Sequence, residues 1–368
     1  MKISYIANSS FPSHVPSALQ IVKTCEYLSK TKNEISLIIP NTSKSKLSIF
    51  NFYNVKFKFN IIRMIRFNKF PLGLSYYLFS ILSFWKAYKF SEIIISRNFF
   101  VVFLCIIFRK KCIIELHHDI RIESRIVQFI YKTFNIFDNK YLIKTVAISQ
   151  GIKNKFINDF DMKDLDKVVV LPSGTSLKMR FLNPTIKDRL QLGYFGSINS
   201  SKGIDLIFEL AKLDQSNDYF IYGGLNNQIL KLQLKNNMKN LFLFPHQNYR
   251  KISKYLLKMD ILLIPYTNKV TAAGNVSNIA KYTSPLKLFD YMSAGKLIIS
   301  SELDVLKEIL IDKQNCLFVK NYLNPFAWIM TIKKVKSNLV MRKVISKKSF
   351  EKVKEFNHEK RAIKYLEY

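Results

Sequence analysis

Short apolar runs alternate with amphipathic stretches along almost the whole chain. In the first half the runs predict strands over residues 2–7, 35–40, 92–96, 111–116, 145–149 and 168–172. Helical spacing fills the gaps at 17–29, 72–89 and 120–134, with a shorter helix after Ser149. In the second half, strands are predicted over 191–196, 219–222, 241–244, 260–264, 297–300 and 316–319. Helices fall at 204–213, 228–236, 249–258, 286–294 and 305–311. Such alternation makes βαβ units, which assemble into parallel sheets with helices on both faces. A break near Asn183-Pro184-Thr185, before the fresh strand at Leu192, divides the pattern in two. Two Rossmann-like, doubly wound α/β domains facing a cleft follow, with ligands expected at the carboxyl ends of the strands.

One helix start carries candidate chemistry. Ser284 is the predicted N-cap and Pro285 the first helical residue; Leu286, Leu288, Phe289 and Met292 then form an apolar face, and Gly295 a stop. A helix start aims N–H groups and a partial positive charge at whatever precedes it, which suits an anion. Lys287 and Asp290, three residues apart, share a side of this helix. They read as a cation for phosphate and a carboxylate able to accept from sugar hydroxyls. Taken alone, the segment is also an ordinary amphipathic helix with a good cap. Other strand ends point the same way. Gly196-Ser197 leaves a strand where a backbone can approach a ligand closely, and Lys202-Gly203 opens the next helix with a point charge. Tyr222-Gly223-Gly224 and Leu171-Pro172-Ser173-Gly174-Thr175 end two further strands.

Composition narrows the class. With 368 residues and 48 % hydrophobic side chains, the chain is long enough for two cores and too apolar for disorder. No apolar run approaches the length of a bilayer span, and the first residues read as a strand, so a cytoplasmic protein is expected. Cys25, Cys105, Cys112 and Cys316 are scattered in apolar surroundings and read as reduced core residues. The net charge of +32 suits a polyanionic partner, although the abundance of Lys, Asn, Ile, Phe and Tyr also fits AT-rich coding DNA. Residues 51–100 hold Lys56, Lys58, Arg63, Arg66, Lys69, Lys86, Lys89 and Arg97 against the lone acid Glu92. Phe67, Phe70, Tyr76, Tyr77, Phe79, Phe84 and Trp85 lie among them, a mixture suited to an anionic membrane surface.

Metal and cofactor signals are weak. Asp159-Phe160-Asp161 lies in a turn rich in both charges and reads as solvated; His117-His118-Asp119 lacks further ligands nearby. His246 could border a nucleobase or simply face solvent. Neither a phosphate-binding Gly-x-x-x-x-Gly-Lys loop nor a dinucleotide fingerprint occurs, which argues against ATPases and dehydrogenases.

Together these landmarks resemble glycosyltransferase family 4, retaining enzymes of GT-B architecture. Phe11-Pro12-Ser13 with the segment from Ser17 to Glu26 resembles the family's first loop and helix, and Glu115-Leu116-His117 its acidic-x-histidine strand end. Val146-Ala147-Ile148-Ser149, Leu171-Pro172-Ser173-Gly174, Tyr194-Phe195-Gly196-Ser197 with Lys202-Gly203, and the run from Asp260 to Tyr266 are similar to further landmarks. So are the segment from Ser284 to Gly295 and the closing Asn357-His358-Glu359-Lys360-Arg361. The resemblance implies an acceptor-side domain over 1–186, a nucleotide-sugar-binding domain over 187–346, and a C-terminal helix within 347–368 that crosses back to the first. It implies catalytic roles for His117, Lys202 and Asp290. Donor binding would fall to Gly196, Ser197, Lys202, Tyr266, Ser284, Pro285, Leu286, Lys287 and Asp290, with no metal cofactor.

The sequence departs from the family at three places. Tyr282 stands where a second acid is common, Ser197 where an arginine is common, and Ser17-Ala18 where Gly-Gly is usual. The expected function is transfer of a sugar from a UDP- or GDP-sugar to a lipid-linked saccharide in cell-surface polysaccharide synthesis. The expected place is the inner face of the cell membrane, held peripherally, without nucleic acid. A GT-B nucleotide-sugar epimerase and a nonenzymatic polyanion- or nucleic-acid-binding protein are the alternatives.

Overall fold

The computed structural model describes residues 1–367 except 42–47, 66–69, 124, 271–277 and 279. The chain forms two compact units, Met1–Ser173 with His358–Tyr368, and Gly174–Asn357.

In the first unit seven parallel strands line up in the order β3-β2-β1-β4-β5-β6-β7. They are β1 Lys2–Ile6, β2 Glu34–Pro40, β3 Asn60–Met64, β4 Ile93–Ser96, β5 Cys112–Leu116, β6 Leu142–Ala147 and β7 Val168–Val170. The connections carry α1 Pro16–Lys30, α2 Ile49–Phe52, α3 Leu72–Tyr88, α4 Phe99–Ile107, α5 Arg125–Thr133 and α6 Gln150–Phe160. The chain starts at mid-sheet, winds outward to β3, then returns to β4 beside β1 and winds the other way. Neighbouring β1 and β4 therefore mark a switch point, where their carboxyl ends diverge from the connecting loops. Central strands such as β4 are buried at every residue, which is why they read as unbroken apolar runs. All four cysteines are buried and free, as the sequence suggests.

The second unit repeats the plan with six parallel strands in the order β10-β9-β8-β11-β12-β13. These are β8 Gln191–Phe195, β9 Asp218–Tyr222, β10 Leu241–Phe244, β11 Ile261–Ile264, β12 Leu297–Ser301 and β13 Leu317–Val319. Helices α7 Ile204–Leu213, α8 Asn226–Lys235, α9 Tyr249–Lys258, α10 Leu286–Ser293, α11 Asp304–Lys307, α12 Pro325–Lys336 and α13 Leu339–Lys352 cover both faces. One core gathers around the fully buried Trp328, the other around Phe289, Tyr291 and Met292. Fully burying such side chains stabilises the fold by about 1.5–3 kcal/mol each. Its switch point lies between β8 and β11.

The last helix, α14 His358–Leu366, returns to the first unit and packs along α1. Lys30 and Glu359 form an ion pair at 2.5 Å there, and the His358 ring stacks on Tyr27. The compact units divide after Ser173 and before His358, against expected boundaries at 186 and 347. Residues just after Ser173 belong with the second unit because Leu177 and Met179 pack against its core. All of α13 stays there too, against α10 and β12.

The basic aromatic stretch over 51–100 is not one surface. Phe79 and Phe84 are core residues, and Arg97 is held by a buried glutamate, Glu115. Arg66, Phe67 and Lys69 lie outside the described residues. A helix buries the aromatics on the one face that packs inward, so composition alone overstates what is presented to solvent.

Candidate nucleotide-diphosphate site

The switch point of the second sheet brings most of the sequence-predicted residues together. β8 ends in Gly196-Ser197, and a 3₁₀ turn at Ser200–Lys202 leads into α7. Asn199 caps that turn through its side chain, accepting from Ser201 N at 2.9 Å. Gly203 follows with φ +76°, and a Cβ there would meet the Pro265 carbonyl oxygen at 1.7 Å. Only glycine fits, and its presence lets the turn sit directly on the end of β11. Lys202 is thereby aimed back at the β8 loop, where its ammonium donates to Ser197 Oγ at 2.9 Å. Burial pushes the Lys202 pKa down.

Lys287 projects into the same place from the first turn of α10. Its Nζ lies 3.8 Å from the Tyr194 ring centroid and 5.1 Å from that of Tyr266. A Cβ on Gly196 would come within 2.5 Å of this nitrogen, so the glycine makes room for the ammonium. The Nζ is buried and has no hydrogen-bond partner. Burial, reinforced by the neighbouring Lys202 charge, holds its pKa well below the usual lysine value. Two aromatic faces offset part of the lost hydration. Among the described residues no carboxylate pairs with either lysine.

The start of α10 differs from the expected cap. Pro285, at φ −71° and ψ 121°, takes the N-cap position, and no side chain caps the helix. Ser284 falls one residue outside because proline's extended ψ delays the first helical residue to Leu286. No side chain caps the helix start, which keeps the partial positive charge of its aligned peptides, although Leu288 N–H donates to the Pro285 carbonyl at 3.0 Å. Gly295 ends the helix with φ +62°, as the sequence suggests.

Asp290 sits one turn beyond Lys287, facing a different set of partners. Its Oδ1 accepts from Thr175 Oγ1 at 2.6 Å and from Tyr249 OH at 3.1 Å. Burial pushes its pKa up to about 7, with the two hydroxyls pulling only part of the way back. Sequence reasoning did not identify Thr175 or Tyr249 as its partners. Thr175 follows a strand end that the sequence marks, but no local pattern marks the N-terminal tyrosine of α9.

His117 belongs to the first unit, just past β5, and is partly exposed. It donates from Nε2 to Glu115 Oε1 at 2.8 Å, which leaves Nδ1 as an acceptor. Burial and the Arg97 charge push its pKa down to about 4, so the ring is neutral at pH 7. Glu115 is a hub. Arg361 of α14 reaches its Oε1 at 2.5 Å, Arg97 at 3.3 Å, and Tyr5 OH donates to Oε2 at 2.7 Å. Burial alone would raise the Glu115 pKa; Arg97, Arg361 and His117 outweigh it and hold the carboxyl well below its usual range. His118 bonds instead to Glu123, so the adjacent histidines diverge.

Comparison with known proteins places the fold in a class. Residues 177–352 match the family described as "Glycosyl transferases group 1", a stretch lying wholly within the second unit. Across the whole chain the fold matches Anabaena Alr3699/HepE, solved in complex with UDP and glucose, at 13 % identity and TM-score 0.69, covering 99 % of this chain and 98 % of that one. The lipopolysaccharide outer core galactosyltransferase WaaB is similar at 15 % identity and TM-score 0.67, with 99 % of each chain covered. WaaG, a glycosyltransferase involved in lipopolysaccharide biosynthesis, is similar at 12 % identity and TM-score 0.66, with 99 % and 98 % covered. A search of curated protein sequences finds no match. The chain therefore has the GT-B fold, and residues 177–352 match the glycosyl transferases group 1 family.

Proposed function

We propose that the protein is a retaining glycosyltransferase of family 4 that moves a sugar from a UDP- or GDP-sugar to a lipid-linked saccharide during cell-surface polysaccharide synthesis. The observation that carries this reading is the pair Lys202 and Lys287, two lysines at a sheet switch point that no carboxylate among the described residues neutralises. A diphosphate supplies the missing negative charge, and the uncapped start of α10 adds to the attraction.

In this reading Lys202 and Lys287 stabilise the charge that develops on the leaving diphosphate as the sugar C1–O bond breaks. The acceptor hydroxyl forms its bond to C1 on the face the nucleotide leaves, and its proton passes to the departing phosphate oxygen. No enzymic nucleophile is needed. Asp290 accepts from the ribose hydroxyls, for which its position one turn from Lys287 is suited. On the first unit, neutral His117 offers Nδ1 as a hydrogen-bond acceptor to a substrate hydroxyl. Lysines and a helix terminus take the place of a divalent cation, so turnover should persist in EDTA.

The test incubates the protein with a panel of UDP- and GDP-sugars and extracted lipid-linked saccharides. Released nucleoside diphosphate measures turnover, and NMR of the product reads the anomeric configuration. Net retention supports the proposal; inversion, or no nucleotide sugar consumed, overturns it. The WaaB and WaaG names speak of lipopolysaccharide, which is why a lipid-linked glycan is the first acceptor to try.

A further inference from the structure

The fold treats the two oxygens of Asp290 differently. Oδ1 accepts twice, from Thr175 Oγ1 at 2.6 Å and from Tyr249 OH at 3.1 Å. Among the described residues none donates to Oδ2. Both donors are themselves anchored. Thr175 is the second residue of its unit, and its backbone N–H bonds to the Phe356 carbonyl at 3.1 Å, within a parallel bridge to Asn357. Its Oγ1 also accepts from Leu177 N at 3.0 Å, which turns the hydroxyl with its proton toward Asp290. Tyr249 is the first residue of α9, whose cap Asn248 accepts from Arg250 N at 2.9 Å. Burial pushes the Tyr249 phenol well above the usual tyrosine pKa, so it stays protonated and donates.

Three segments therefore meet at one carboxylate oxygen: the chain just after Gly174, α9 and α10. A free aspartate turns readily about its last torsion, which is broad and roughly two-fold. Here any such turn breaks two hydrogen bonds to a carboxylate, which are stronger than those between neutral groups. Oδ2 is held in one place before a ligand arrives, so little ordering remains to be done on binding. Lys287 starts the same helix one turn earlier, beside Lys202 and the loop after β8. A hydroxyl donor lying one helical turn from a diphosphate describes the ribose of a nucleotide.

We propose that Thr175 and Tyr249 are positioning residues: by saturating Oδ1 of Asp290 they hold Oδ2 as the acceptor for a ribose hydroxyl, and so set a preference for ribonucleotide over deoxyribonucleotide donors. This role rests on the nucleotide-sugar reading above and adds to it the residues that discriminate the pentose. Neither side chain is required to touch the nucleotide; both act through Asp290. A purely structural tie between α9, α10 and the chain after Gly174 would stabilise the unit and leave ribose preference untouched. The two roles are separated by a ratio of affinities, in which changes common to all nucleotides cancel.

Full-length protein is titrated calorimetrically with UDP and GDP, with the 2′-deoxy and 3′-deoxy analogue of each, and with inorganic pyrophosphate. The wild type should bind UDP or GDP about 10- to 100-fold more tightly than at least one of its deoxy analogues, the range of a hydrogen bond to a charged acceptor. Tyr249→Phe and Thr175→Val each remove one donor and should each shrink that ratio about threefold or more; together they should bring it below about threefold. Thr175→Ser keeps the hydroxyl and should keep the ratio. Pyrophosphate affinity should stay within about twofold in every variant, because it reports the lysines and shows that the site is folded. A ratio that the two single variants leave unchanged overturns the proposal, as does loss of pyrophosphate, nucleotide and deoxy-analogue affinity in equal measure. A wild type that binds UDP or GDP without discriminating against either deoxy analogue overturns it while the transfer reading stands. One that binds neither nucleotide overturns both.

Discussion

In the first unit Glu115 lies under two guanidinium groups, a phenol and an imidazole; in the second, Lys202 and Lys287 are neighbours, and no carboxylate among the described residues pairs with either. Both arrangements are buried and both shift pKa values, yet they differ in what they lack. The Glu115 cluster is satisfied by the protein itself, tying β1, β4, β5 and α14 into one unit. Among the described residues no carboxylate answers the lysine pair, which has only the Ser197 hydroxyl and two aromatic faces, and Asp290 nearby is only partly stabilised by hydroxyls. Charge that a fold leaves uncompensated at a sheet switch point is charge kept for a ligand. Charge that the fold compensates in full is structural, even when a histidine lies at its edge.

That contrast can be broken from either side. The largest effect should come from Glu115→Ala, which strands two buried guanidinium groups and should cost the first unit about 3–5 kcal/mol in urea unfolding. A change below 1 kcal/mol would mean that the cluster is not structural. Next, Lys202→Ala should lower turnover about 10²–10³-fold while moving Tm little, since the lost interaction is made with the departing phosphate. Lys287→Met reverses the usual penalty of a site mutation. It should raise stability by about 1 kcal/mol, because an unpartnered buried ammonium is removed, and weaken diphosphate binding about 10- to 100-fold. Equal loss of stability and binding would argue for a structural lysine.

The smallest effects are in pH. Asp290 titrates near 7 when folded against an ordinary carboxyl, so the folded state binds the extra proton between those values. The second unit should thus lose stability as pH rises from about 4 to 7 and level off above, and Asp290→Asn should flatten that slope. The first unit should run the other way. His117 and His358 are held down to about 4 and about 3, so their contribution is present above the ordinary histidine value and is lost as pH falls toward those values. Glu115, held well below its usual range, loses its contribution further into acid. Trp328 emission follows the second unit, and amide exchange of α14 follows the first.

Much of this layout is written in local pattern. Doubly buried strands such as β4 and β11 are short unbroken apolar runs between turns, and their order alone yields two parallel sheets. The edge strand β3 escaped notice because Asn60–Met64 is exposed or half-buried and mixes polar with apolar residues. α4 escaped for the opposite reason: nine consecutive apolar residues have no helical period to read. At the site, Gly196, Lys202, Lys287 and Asp290 were visible because turns and helix starts have local signatures. The Thr175, Tyr249, Arg97 and Arg361 contacts were not visible. Each joins residues far apart in sequence, and only the folded chain brings them into register.

The central claim is that two lysines hold a diphosphate. Calorimetric titration of UDP, GDP and the parent nucleosides tests it most directly, on the wild type and on the Lys202→Ala, Lys287→Met double variant. One diphosphate should bind the wild type at least 100-fold more tightly than its nucleoside, and the double variant should reduce that ratio below tenfold with its fold intact. A nucleoside that binds as well as its diphosphate, or a double variant that keeps full diphosphate affinity, would contradict the account.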